Sequence, residues 1–461
     1  MFILREIIKA VNGRLLFGDP QSIIKGVSID SRTIKSGELF IAIKGNRFDG
    51  HNFIQEAIQR GAKGIVVDSS QLRVDRPQLR VGREAAFIKV VDTRRALGNL
   101  AGFHRQRFNI PVIAITGSNG KTTTKDMLAW ILSSRARVLK NPGTENNDIG
   151  IPLTLLKLDN THDFAVLELG TNHFGEIAYL ANIVQPSLGI ITNIGPAHLE
   201  YLKNFLGVYR EKLSLLKGLR LPKIAILNAD QAWLKKPDID KRAFVVSYAI
   251  KNKSDFSAKA IKLYSKKALG FSINSNQRQR VRLNTVGYVN IYNALAAIVA
   301  ARLLGWDYKS ITRRLGTFAF SHGRLRQIEL NGISFIDDTY NANPASLSEA
   351  LDVLDRFRVK GRKIFVMGDM LELGKSAEGF HRQAGVQVAQ VCDVFISVGK
   401  FSQFAARWAR KFGLGKDCVF SCQDPQQAGD LLFKVVKPNP RDLILVKGSR
   451  LMKMEKVLKS R

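Results

Sequence analysis

The stretch Ile113–Thr124, I-A-I-T-G-S-N-G-K-T-T-T, constrains this chain more than any other. An apolar, β-branched run leads into Gly117-Ser118-Asn119-Gly120, and Lys121-Thr122-Thr123 opens a segment with helical patterning. A strand, a glycine-rich loop and a helix in that order form a cradle for phosphate. The glycines let backbone N–H groups approach the oxygens, and the helix N-terminus adds its positive dipole end. Lys121 is placed to reach the β- and γ-phosphates and the Thr122 hydroxyl to bind Mg²⁺. The spacing departs from G-x-x-x-x-G-K-[ST], because position 115 is Ile.

Such a loop demands a parallel sheet around it, and the rest of the chain supplies one. P-V-I-A-I-T, F-A-V-L-E-L, L-G-I-I-T-N and K-I-A-I-L-N are short Val/Ile-rich runs bounded by turn residues. Strands covered on both faces read this way. Residues 1–92 alternate shorter strands with helices. A third alternating series starts near 324, with S-F-I-D-D, K-I-F-V-M-G-D, V-F-I-S-V-G and L-I-L-V-K-G. Alternation of this kind predicts doubly wound α/β units. The chain of 461 residues is long enough for about three of them. The boundaries are placed at 1–92, 93–323 and 324–461.

Two further residues follow strands in the same middle region. Glu168 ends F-A-V-L-E-L, and His198 lies in N-I-G-P-A-H-L after L-G-I-I-T-N. Open α/β sheets place ligands beyond the carboxyl ends of their strands. A carboxylate and an imidazole there, beside a phosphate loop, point to metal-assisted phosphoryl chemistry.

Lys and Arg total 71 against 39 Asp and Glu, a net charge of +32. The excess is spread along the chain and is densest over 251–282, which reads as a hairpin. No nucleic-acid module accompanies it, so the expectation is a general basic bias and anionic small substrates, without nucleic acid as partner. Cys392, Cys418 and Cys422 are too few for a disulfide framework and have no neighbouring histidine for zinc. The opening M-F-I-L-R-E-I-I-K-A-V-N-G reads as an amphipathic helix and not as a signal peptide. No apolar run is long enough for a transmembrane helix. The expectation is a cytoplasmic monomer.

The variant loop T-G-S-N-G-K-T-T, the Glu168 segment, N-I-G-P-A-H-L and Lys212 in G-V-Y-R-E-K-L together resemble the Mur ligases, the ATP-dependent amide ligases of peptidoglycan precursor synthesis. S-I-D-S-R-T-I-K-S-G-E-L-F-I-A-I-K-G (28–45) and F-D-G-H-N-F (48–53) are similar to the uridine-nucleotide domain of part of that family. F-I-D-D-T-Y-N-A-N-P (335–344), V-M-G-D-M-L-E-L-G (366–374) and V-K-G-S-R (446–450) resemble the branch that appends D-Ala-D-Ala.

The resemblance implies a small α/β UDP-binding domain, a central P-loop ATPase domain with a parallel sheet, and a C-terminal Rossmann-like α/β domain. The implied reaction joins D-Ala-D-Ala to UDP-N-acetylmuramoyl-tripeptide through an acyl phosphate, with ATP and Mg²⁺. Gly117 to Thr123 would hold the ATP phosphates. Asn290 and Asn293 would lie near adenine, Arg324 would reach over the phosphates, and Asp338 would hold the nucleotide from the third domain. Thr122, Glu168, His198 and Lys212, the last as a carbamate, would serve magnesium. Lys121, Lys212, His198 and Glu168 would form the catalytic set. Ser31, Arg32, Asp49, Gly50 and His51 would meet the UDP end, and Asn146, Asn147, Asn341 and Asn343 the remaining substrate groups. Read without the resemblance, Lys212 is a helix-surface lysine.

The sequence departs from the family pattern at Thr144, where Asn is common, at Val289, where a histidine is usual, and after Lys212, where L-S-L lacks an acidic residue. The rival readings are a MurE-type ligase adding a single amino acid, whose D-N-P-R-type motif is absent, and a basic ATP-dependent nucleic-acid binder.

Overall fold

The computed structural model describes residues 1–45, 48–68, 85–235, 237–265, 268–274 and 279–459. Its strands fall mainly into three sheets. The first has the spatial order Arg14–Phe17, Ala86–Val90, Gly64–Asp68, Leu39–Ile41, Val27–Ser28. All its neighbours are parallel except the outermost pair, Arg14–Phe17 against Ala86–Val90.

The second sheet has nine strands among the described residues and carries the phosphate loop. Val112–Thr116 lies between Leu188–Ile191 on one side and Phe164–Glu168 on the other, all parallel. Val138–Lys140 continues beyond Phe164–Glu168, and Ile224–Asn228 and Phe244–Ala249 beyond Leu188–Ile191. Ile113, Ile115, Val166 and Ile190 are fully buried, which is why these strands show no polar alternation. The helices Lys121–Leu132 and Val289–Leu303 pack against each other over one face, sealing a core with Leu128, Ile291, Leu295 and Ile298.

The basic stretch 251–282 extends this sheet. Phe256–Ser265, Ala268–Asn274 and Gln279–Leu283 run antiparallel to one another, so three strands replace the single hairpin expected. Residues 266–267 and 275–278 of that stretch lie outside the described residues. Ala258, Phe271, Ile273 and Val281 face inward, while Lys259, Arg280 and Arg282 face solvent.

The third sheet runs Arg326–Leu330, Ile333–Asp338, Leu443–Lys447, Lys363–Gly368, Val394–Val398, Val419–Cys422, parallel except for the first pair. Among the described residues no helix is long and apolar enough to cross a membrane.

Candidate active site

Chain order assembles the site. The phosphate loop leaves the carboxyl end of Val112–Thr116, and its two neighbouring strands continue the chain in opposite directions across the sheet. That is a topological switch point, where the loops above the strand ends diverge and leave a crevice. A cavity of about 330 Å³ occupies it, lined by Ser118 to Thr123, Asn146, Glu168, His198, Asn290, Asn293, Arg324, Asp338, Asn341 and Asn343. Most of the residues picked out from sequence for nucleotide and metal thus converge from both the second and third sheets.

The loop's two glycines are sterically required. At Gly117 (φ +152°) a Cβ would meet the Thr192 hydroxyl at 1.9 Å, and at Gly120 (φ +79°) it would meet Asn293 Oδ1 at 2.2 Å. The segment after Leu188–Ile191 holds the loop in place. Asn193 accepts from the Asn119 N–H at 2.9 Å, and the Ser118 hydroxyl donates to Gly195 O at 2.9 Å. Lys121 begins the following helix and donates from Nζ to Gly117 O at 2.7 Å. Burial pulls its ammonium below the ordinary lysine range, Glu168 opposes that shift and Arg324 adds to it.

Glu168 is 1% exposed. Its carboxylate accepts from the Thr122 hydroxyl at 2.6 Å and from Asn146 Nδ2 at 2.7 Å. Arg324 Nη2 donates to the same Thr122 oxygen at 2.9 Å, and its guanidinium lies over the Tyr340 ring at 4.0 Å. The hydroxyl and carboxylate oxygens of Thr122 and Glu168 are the donor type that Mg²⁺ prefers, so this pair fits that ion. Among the described residues no group of three or more His, Cys, Asp or Glu side chains converges as a metal cluster.

His198 lines the same cavity. Its Nδ1 meets Glu372 Oε2 at 2.6 Å, a pair between the second and third units, and this bond holds the Glu372 carboxyl below the usual range. A second cross-link is a reciprocal amide pair. Asn343 Nδ2 donates to Asn119 Oδ1 at 2.7 Å, and Asn119 Nδ2 donates back at 3.3 Å. Asn343 also caps the helix Pro344–Arg356 through Ser346 N. Asp338 forms a buried ion pair with Lys447, whose Nζ also donates to Asn341 O at 2.9 Å. Asn290 and Asn293 are buried and linked, Asn293 Nδ2 to Asn290 Oδ1, at 3.0 Å.

Three groups of the expected site residues do not line this cavity. Asn147 does not line the cavity; its Oδ1 accepts from Ile149 N at 3.2 Å and Gly150 N at 2.9 Å, at the start of the helix Gly150–Leu155. Lys212 does not line the cavity and is no surface lysine either, being 1% exposed. Burial drives its amine well below the ordinary range, and Lys121 adds to this. The adjacent Glu211 carboxylate, which accepts from Gly175 N at 2.7 Å and Ile177 N at 2.8 Å, and the charge of Glu168 oppose the shift. Ser31, Arg32, Asp49, Gly50 and His51 lie outside the cavity, on the first sheet's loops. There Ser31 donates to Glu56 at 2.8 Å. Arg32 makes a two-point contact with Asp30, holding that carboxyl at about 2. Asp49 accepts from His51 N at 3.0 Å, and His51 Nε2 accepts from Asp68 N at 3.1 Å.

Two residues went unnoticed in the sequence. Lys125 is fully buried behind Glu168, and Glu349 lines the cavity with its carboxyl pushed up to about 7 by burial.

Comparison with known proteins bears on this arrangement. Residues 23–105 match the model described as Mur ligase family, catalytic domain; 115–301 match the Mur ligase middle domain; and 323–450 match the Mur ligase, glutamate ligase domain. The UDP-N-acetylmuramoyl-tripeptide–D-alanyl-D-alanine ligase of Haemophilus influenzae is 37% identical, over 96% of this chain and 95% of its own length. The Bacillus subtilis enzyme of the same name is 34% identical, over 99% and 97%. The chain belongs to the Mur ligase family. Among solved structures, MurF from Acinetobacter baumannii superposes with a TM-score of 0.89 at 34% identity, covering 99% of this chain and 98% of that one. MurF ligase from Thermotoga maritima, in complex with ADP, gives 0.82 at 27% identity, covering 96% and 98%.

Proposed function

We propose that this Mur ligase joins D-Ala-D-Ala to UDP-N-acetylmuramoyl-tripeptide at the expense of ATP, in peptidoglycan precursor synthesis. It acts as a cytoplasmic monomer, with units at 1–92 for the uridine nucleotide, 93–323 for ATP and 324–461 for the dipeptide. The observation that carries the reading is the cavity itself. It joins a phosphate loop to cationic and amide groups from the third sheet, in a chain whose full-length relatives bear that name.

The chemistry runs in two steps. A carboxylate is a poor electrophile, so an oxygen of the tripeptide's terminal carboxylate attacks the γ-phosphorus of ATP. ADP leaves and an acyl phosphate forms. The amine of D-Ala-D-Ala then attacks the acyl carbon, losing a proton, and inorganic phosphate departs as the amide forms. The protein's work is positioning and charge compensation. Lys121 and Arg324 offset the repulsion between a carboxylate and the triphosphate. Asn290 and Asn293 border the base, and Asp338, Asn341 and Asn343 present the third unit. Thr122, Glu168 and His198 would hold Mg²⁺, which supplies further charge neutralisation at the phosphates. Ser31, Arg32 and the Asp49–His51 turn bind the uridine nucleotide.

Lys212 acts as a carbamate. A nearly enclosed amine held below its normal range is neutral more of the time. Only a neutral amine nitrogen can attack the carbon of CO₂, releasing a proton and leaving an anionic carbamate. The charges of Glu211 and Glu168 oppose that lowering, and burial outweighs them.

The test is ADP release and product mass with UDP-N-acetylmuramoyl-tripeptide, with and without D-Ala-D-Ala. Product and ADP should require the dipeptide. Efficient addition of a single diamino acid to the UDP-muramoyl-dipeptide would instead establish a MurE-type activity.

A further inference from the structure

Lys125 lies one turn beyond Lys121 on the helix Lys121–Leu132 and is 0% exposed. A lysine at a buried helix position is costly, because its ammonium must leave water. Burial pulls Lys125 below the ordinary range, and the charges of Asp126 and Glu168 oppose the shift. Space-filling alone would be served by methionine or leucine.

What the lysine does that they could not is donate. Its Nζ bonds Asn141 O at 2.7 Å and Gly143 O at 2.9 Å, both in the segment that follows the strand Val138–Lys140. Its nearest carboxylate, Asp126, is 3.8 Å away and is held by Lys140 at 2.7 Å.

The segment so pinned touches Glu168 twice. Asn141 is fully buried, accepts from Glu168 N at 2.9 Å through Oδ1, and donates to Glu145 O at 3.2 Å. Asn146 donates to Glu168 Oε1 at 2.7 Å, while its carbonyl accepts from Gly170 N at 2.9 Å. A Cβ on Gly170 would meet the Asn146 side chain at 2.3 Å, so that side chain sits directly against the Gly170 backbone. The outer side of the segment, Thr144 and Asn146, lines the cavity. One helix therefore offers Lys121 to the cavity at its first turn and fastens the opposing wall from its second.

We infer that Lys125 is a positioning residue, which clamps residues 141–146 so that Asn146 and the Glu168 carboxylate are held in register toward the nucleotide cavity. The inference rests on the reading of Glu168 as a group of the ligase site.

The experiment uses the full chain with Lys125→Met, Lys125→Gln, Asn146→Ala and the double variant Lys125→Met/Asn146→Ala. Three quantities are read. They are amide hydrogen exchange over 141–146, binding of a fluorescent ATP analogue with and without Mg²⁺, and the Mg²⁺ concentration giving half-maximal ligation. Lys125→Met should lose at least tenfold protection over 141–146, with the phosphate loop unchanged. It should raise the half-saturating Mg²⁺ several-fold, while Mg²⁺-free analogue binding changes less than twofold. In the Asn146→Ala background the Mg²⁺ effect should largely vanish, because groups acting through one contact are not additive. Lys125→Gln, whose shorter amide keeps at most one of the two donations, should shift exchange and Mg²⁺ dependence in the same direction and stands in for Lys125→Met if that variant does not fold; a folded Lys125→Gln identical to wild type in both overturns the inference. A folded Lys125→Met with wild-type exchange and Mg²⁺ dependence overturns the inference, and so does full additivity with Asn146→Ala. Wild-type Mg²⁺ dependence in Glu168→Gln would instead bring down the reading of the site on which the inference rests.

Discussion

Glu168 separates what holds the site together from what gives it charge. Glu168→Ala removes two charge-assisted hydrogen bonds, at 2.6 and 2.7 Å. Each such bond contributes about 1.5–3 kcal/mol, and a buried polar group left unpaired costs a comparable amount. Thr122 keeps Arg324 as a donor, and Asn146 keeps some solvent access, so the expected loss is about 2–4 kcal/mol in all. Glu168→Gln is milder. Its amide oxygen can still accept from Asn146, and its NH₂ can donate to the Thr122 oxygen, so the expected loss is under about 1 kcal/mol. Yet Gln carries no charge and is a weaker ligand for a hard cation. Turnover should fall roughly 10²–10³-fold, the range for deleting one preorganised electrostatic group. Urea unfolding of both variants, with ADP release across a Mg²⁺ titration, separates the two effects. A folded Glu168→Gln that ligates at the wild-type rate with wild-type Mg²⁺ dependence would refute the assignment of this carboxylate. A Glu168→Ala as stable as wild type would refute the hydrogen-bond reasoning.

Lys121→Ala should abolish ligation while thermal unfolding changes little, because Asn193 and Gly195 still brace the loop; normal turnover in the folded variant ends that assignment. Lys212→Ala should lose most activity and regain part of it with added short carboxylates, and Lys212→Arg should fail as well, because a guanidinium forms no carbamate. Wild-type turnover of Lys212→Arg at low bicarbonate would dispose of the carbamate. Glu349 has its folded pKa raised from 4.5 to about 7 by burial, so its contribution to stability is present below pH 4.5 and is lost as pH rises through 7. Urea unfolding should find Glu349→Gln more stable than wild type at pH 8 by about 1–3 kcal/mol, with the difference gone at pH 4.5; an equal gain at both pH values excludes the titration.

The middle sheet was legible in the sequence because its strands are buried on both faces. Val112–Thr116 and Leu188–Ile191 read as unbroken apolar runs, and the loop glycines followed one of them. The three-strand antiparallel extension was harder, since Lys259, Arg280 and Arg282 on its outer face dominated the composition and hid the inward alternation of Ala258, Phe271 and Val281. Read without the resemblance, Lys212 looks like a surface residue, although the helix Phe205–Lys217 carries a correcting signal. Val208, Lys212, Leu215 and Leu216 share the 3.6-residue stripe that is buried. Lys125 likewise falls in the stripe of Leu128 and Leu132. In both helices the fold obeys the periodicity of the apolar stripe despite the lysine's charge. Asn147 is hard to place from sequence for a different reason. Adjacent asparagines look alike in sequence, and only the start of the helix at Gly150 decides which one accepts from its first N–H.

The contacts that sequence could not supply join residues far apart along the chain, and they explain why the site needs two units. Arg324 to Thr122, Asn343 to Asn119 and Glu372 to His198 are separated by 202, 224 and 174 positions. Each one engages a group on the phosphate loop or in the segment that braces it. Separating the third sheet from the second would therefore remove a cation from the Thr122 hydroxyl, an amide from the loop's Asn119 and a carboxylate from His198 together. The loop by itself keeps its internal braces, Asn193 and Gly195, so it retains the shape to hold a triphosphate. The charge compensation that phosphoryl transfer requires is completed only when the third unit is seated. That division suits a reaction whose acyl phosphate must be kept from water until the dipeptide amine is in place.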